Sequence, residues 1–114
     1  MNRPGPVRPA DAQHLIFEGA TPSVSSGASD CGTSPAVVGH DNVGRVTVGS
    51  STNGGKCTIT FANAWTTQPV CVVQDETTPA NLVHPVYSGM TKLVITASGS
   101  LTAGDVLSYT CMSY

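Results

Sequence analysis

Charge is the scarcest commodity in this chain: five basic and seven acidic residues among 114, for a formal net charge of −2. So few cations exclude the phosphate-neutralising surface on which nucleic-acid binding depends. Aromatic residues fill only 5% of positions, thin provision for a sugar-stacking site. Leu, Lys and Glu, all good helix formers, are rare as well. No apolar run approaches the roughly 20 residues that a membrane-spanning helix needs. Arg3 and Arg8 stand near the N-terminus, but no apolar stretch of signal-peptide type follows them. Neither nucleic acid nor membrane is an expected partner.

Catalytic and metal-binding motifs are missing too. No G-x-S-x-G turn presents a serine nucleophile. His40-Asp41-Asn42, flanked by Gly39 and Gly44, reads as a turn rather than half of a triad. Asp75 and Glu76 are adjacent, so on a strand they point to opposite faces and cannot work as an acid–base pair. No loop alternates Asp and Asn as a calcium loop does, and residues 49–55 lack the Lys-Ser/Thr ending of a phosphate-binding loop. The cysteines Cys31, Cys57, Cys71 and Cys111 show no Cys-x-x-Cys spacing. The sequence therefore predicts no enzymatic activity, no metal and no cofactor, and a small envelope-degrading hydrolase would lack a site.

What is abundant is the vocabulary of short strands and tight turns: 26 Ser and Thr, 12 Gly and 8 Pro. Seven strand-like runs follow Cys31, at 36–38, 42–48, 56–61, 70–74, 81–87, 92–97 and 106–112. In 56–61, Cys57, Ile59 and Phe61 alternate with Thr58 and Thr60, the period of a half-buried strand. Leu107, Tyr109 and Cys111 share one face in the same way. The continuously apolar run 70–74 reads as central, whereas Pro85 assigns its strand to an edge or a bulge. His84, alternating with Leu82 and Val86, reads as buried or at an interface. Gly49, Gly54, Gly55, Gly89, Gly99 and Gly104 mark turns expected to need a positive φ. Trp65 reads as a large anchor closing one end of the core. The expected fold is all-β, a single Ig-like or jelly-roll-like β-sandwich over residues 31–114.

Residues 1–30 form the second region, an extended N-terminal arm and linker. Pro4, Pro6 and Pro9 favour a polyproline-like course, and the Ser/Gly-rich stretch 21–30 reads as flexible. Between them, Leu15, Ile16 and Phe17 offer apolar area that a partner must cover. Arg3, Arg8, Leu15, Ile16 and Phe17 are accordingly the expected attachment residues.

A sandwich of this size has a modest core and is often stapled or oligomeric. Four cysteines allow three pairings. Cys71–Cys111 is the first choice, because one lies in the apolar run and the other on the inward face of its strand. Buried free thiols are the rival reading. Self-association as a homotrimer is expected, since the apolar run at 70–73 exceeds what one sandwich face requires.

Residues 57–65 (Cys-Thr-Ile-Thr-Phe-Ala-Asn-Ala-Trp), followed by Gln68-Pro69-Val70-Cys71-Val72-Val73, resemble a β-domain pattern found in bacteriophage tail-fibre and appendage proteins. Cys31-Gly32-Thr33-Ser34-Pro35, the 101–105 turn and Tyr109-Thr110-Cys111 fit it as well, so the resemblance covers 31–114. It implies a trimeric structural protein on the outer surface of a virion and names no catalytic residue. No repetitive shaft or coiled coil precedes the domain here. A head decoration or cement protein, its arm bound to the major capsid protein or another virion protein, is the leading expectation. The alternative is a receptor-binding or adhesin module that recognises a host surface receptor, protein or glycan.

Overall fold

Alternation dictates the architecture: each strand has one apolar row to bury, and two sheets bury their rows against each other. The computed structural model describes residues 17–52 and 54–114. Eight strands are present among them: β1 (Ser23–Val24), β2 (Ala36–Gly39), β3 (Val43–Thr47), β4 (Lys56–Thr60), β5 (Val70–Asp75), β6 (Val83–Ser88), β7 (Lys92–Ala97) and β8 (Val106–Met112). They form two antiparallel sheets of four, ordered β1-β4-β7-β6 and β2-β3-β8-β5. The fold is a β-sandwich, and no helix occurs among the described residues.

The core lies between the sheets. Ile59, Leu93 and Ile95 from the first meet Val46, Leu107, Tyr109 and Cys111 from the second, all fully buried. Cys57, Ile59 and Phe61 face inward, as does the Leu107, Tyr109, Cys111 row. Trp65 sets its ring nearly perpendicular to that of Phe61, centroids 5.7 Å apart, and packs on the margin of the core. Both disulfides are present: Cys31–Cys57 ties the 27–33 loop to β4, and Cys71–Cys111 ties β5 to β8.

Several expectations are corrected. The stretch 21–30 is not simply a linker, and the sandwich starts before Cys31. Ser23–Val24 pairs with Thr60 and Ile59 of β4, Pro22 is buried, and Val24 packs against the core. Asp30 accepts hydrogen bonds from the Thr58 N–H (3.0 Å) and hydroxyl (2.9 Å). Composition marked the segment as flexible, but β4 supplies hydrogen bonds that no local pattern announces.

β5 is an edge strand rather than a central one. Cys71 turns inward and Val73 packs on the core, while Val70 and Val72 face solvent, 65% and 69% exposed. Its unbroken apolar run thus reflects an uncovered outer face, not burial on both sides. Pro85 does sit on an edge strand, β6, where a missing N–H is tolerated. His84 is exposed on that strand, so the buried reading fails.

Among the turn glycines, Gly89 and Gly104 have the expected positive φ, 70° and 85°. Gly49, Gly55 and Gly99 do not; at Gly49 the backbone of Thr33, bridged to Ser50, occupies the space a Cβ would need.

Candidate interaction surface

Strand period and register decide which side chains the β2-β3-β8-β5 sheet turns away from the core. Val43 on β3, Thr110 on β8 and Val72 on β5 form one row across it, and Met112 stands beside Val70 in another. Val38 on β2 faces outward next to Arg45. Val38, Val43, Val70, Val72 and Met112 are all exposed, and together they give this face an apolar stripe near the β2–β3 turn. Exposed apolar residues clustered on one face mark contact surfaces more often than scattered ones do.

A concavity of about 360 Å³ indents the same face, lined by Val38, Val43, Arg45, Glu76, Ser108 and Thr110 among others. Its polar rim is an ion pair: Arg45 Nε and Nη2 donate to Glu76 at 2.6 and 3.3 Å. Glu76 also keeps the guanidinium firmly protonated by hydrogen bond and charge. An exposed pair of this type adds little to stability; here it fixes one charged edge of a depression that Val38 and Val43 share with the hydroxyls of Ser108 and Thr110.

The floor is held by the turn that joins β2 to β3. Tyr109 donates from its hydroxyl to the His40 carbonyl at 2.6 Å, beneath the paired Gly39 and Gly44. A side chain on Gly44 would collide with that hydroxyl. Burial first, and then the charge of Asp41, push the Tyr109 phenol up in pKa, so it remains a donor. Asp41 itself accepts from the backbone N–H groups of Ala62 (2.8 Å) and Asn63 (3.0 Å). His40-Asp41-Asn42 is therefore structural, clamping the turn to the loop after β4.

Of the expected attachment residues, Arg3, Arg8, Leu15 and Ile16 lie outside the described residues; Phe17 is half-buried. Asp75 and Glu76 do point to opposite faces, Asp75 buried and Glu76 outward to Arg45. The apolar run at 70–73 already pointed to Val70 and Val72 as surface for self-association, whereas Val38, Val43 and Met112 carry no such local signal. Asp105, in the 101–105 turn, carries no local signal of its place beside the 77–82 loop. No group of three or more metal-ligating side chains gathers among the described residues.

No protein-family model, curated protein or solved structure matches the chain. The functional reading rests on the residues themselves.

Proposed function

We propose that the protein is a structural component of the outer surface of a bacteriophage particle, a head decoration or cement protein. In this reading the N-terminal arm, with Arg3, Arg8, Leu15, Ile16 and Phe17, attaches to the major capsid protein and the sandwich projects outward. One observation carries most weight: the stripe Val38, Val43, Val70, Val72 and Met112, apolar and uncovered on a folded, doubly stapled domain. Apolar surface held out of a well-packed core favours burial against another body. A second and third copy, arranged as the trimer that the resemblance implies, would cover it. Binding only to the assembled shell then stabilises the shell by mass action.

The concavity beside Arg45 and Glu76 favours a second reading, a receptor-binding module, since about 360 Å³ falls at the small end of ligand-pocket volumes. Copy number separates the two. Densitometry of purified particles should give a ratio to the capsid protein that matches capsid lattice points. A few copies per particle would instead support the adhesin.

A further inference from the structure

Two buried carboxyl groups are bridged by Thr78 at one end of the sandwich, and among the described residues no surrounding segment supplies a positive charge. Asp75 ends β5 and Asp105 precedes β8; their residues are 2% and 3% exposed. Asp75 accepts hydrogen bonds on both oxygens. Its Oδ1 takes the N–H groups of Thr77 (3.1 Å) and Thr78 (2.9 Å), and its Oδ2 takes the Asn81 amide (3.2 Å). Asp105 receives the Thr78 hydroxyl on Oδ1 at 3.4 Å, while its Oδ2 is buried with no donor directed at it. Thr78 thus bridges the two carboxyls, its N–H on Asp75 and its hydroxyl on Asp105.

The segments that wall this corner are 46–50, 77–82 and 98–104, and none contains a charged residue. Titratable groups on the adjoining strands turn elsewhere. Arg45 and Glu76 pair on the outer face of their sheet, His84 of β6 and Lys56 of β4 are exposed, and Asp30 is taken up by Thr58. Two buried carboxylates sharing a site cannot both stay ionised without a cation between them. A proton on Asp105 Oδ2 resolves both difficulties at once, because it neutralises one charge and gives the orphaned oxygen a hydrogen bond to make.

We propose that Asp105 holds a proton and forms, with Asp75 and Thr78, a pH-sensitive latch that closes the 77–82 loop onto the 101–105 turn and loosens when the proton leaves. The latch spans two connections that both cross between the sheets, so it controls one end of the sandwich and leaves the disulfides untouched. Burial above all, then the hydrogen bond and charge of Asp75, raise the pKa of the Asp105 carboxyl, against a smaller opposing effect of Thr78. An acid whose folded-state pKa exceeds its unfolded value binds more protons when folded. Its contribution is therefore complete at low pH and is lost as pH rises through the folded value.

The test is thermal unfolding of the full chain from about pH 5 to about pH 9, with calcium and with chelator, for wild type, Asp105→Asn and Asp75→Asn. Wild type should lose melting temperature as pH rises. Asp105→Asn, whose amide imitates the protonated acid, should abolish most of that slope and melt above wild type at the alkaline end. Asp75→Asn should melt lower throughout, since it loses an acceptor that Asn81 uses. Amide exchange on wild type gives an independent reading: corrected for intrinsic rates, protection of Thr77 and Thr78 should fall with pH while β4 and β7 amides hold theirs. An unchanged slope in Asp105→Asn, or protection at Thr78 indifferent to pH, overturns the proposal. So does stabilisation of wild type by calcium that chelator reverses, because the pair would then hold a cation in place of the proton.

Discussion

Cys71 and Cys111 stand directly opposite each other in the β5–β8 ladder, their Cα atoms 4.1 Å apart and their sulfurs joined. The bond fastens an edge strand to a central one, so it holds in place the strand that carries Val70 and Val72.

Replacing Cys71 and Cys111 together by Ala should cost about 2–4 kcal/mol in urea unfolding. The Cys31–Cys57 bond closes a shorter loop, 26 residues against 40. The loop-entropy difference is only about 0.4 kcal/mol, so the two removals should be nearly equal. Unreduced protein with four alkylatable thiols would contradict the whole expectation.

Tyr109→Phe should destabilise by about 1–3 kcal/mol, because it leaves the part-buried His40 carbonyl without its donor. The loss should appear in the unfolding midpoint, and the backbone amides of the β2–β3 turn should exchange faster. A variant as stable as wild type would mean that water replaces the hydroxyl.

Val72→Lys should leave stability within about 0.5 kcal/mol, since the side chain faces solvent in the monomer. If the stripe is where copies meet, light scattering should show the variant shifted toward monomer. Wild type that stays monomeric at micromolar concentration removes the trimer from the proposed function.

Two truncations should differ sharply. Removal of residues 1–20 spares β1 and the Asp30 clamp, and should yield a folded domain that no longer binds particles. Removal of residues 1–30 takes both away, uncovers the edge of β4 and should lower the melting temperature. Phe17→Ala alone should weaken particle binding. Full decoration by the shorter truncation would move attachment from the arm to the sheet face.

The fold class and seven of the strands were legible because their signals are local: alternation in Cys57, Ile59 and Phe61, turn glycines such as Gly89, and Pro85 at an edge. What the sequence hid is what depends on a distant partner. β1 consists of two residues whose only argument for being a strand is β4. The run at 70–73 states that it is apolar but not which side is covered, so a central and an edge position read alike. Asp75 neighbours Glu76 in sequence, while Thr78 links it to Asp105 in space. The Cys71–Cys111 pairing was reachable because Cys71 lay in an apolar run and Cys111 on the inward row of its strand, and both are buried.

Strand order has a further consequence for biosynthesis. β7 lies between β4 and β6, and β8 lies between β3 and β5. Until those two strands leave the ribosome, β4 and β5 each lack a main ladder partner, and Val46 waits for Leu107. Five of the seven links between strands also pass from one sheet to the other, so few pairings can form early and locally. Such topologies fold slowly, over roughly milliseconds to seconds. The first sheet therefore cannot close before β7 has emerged, nor the second before β8, and until then their apolar edges stay open to chaperones or to sister chains.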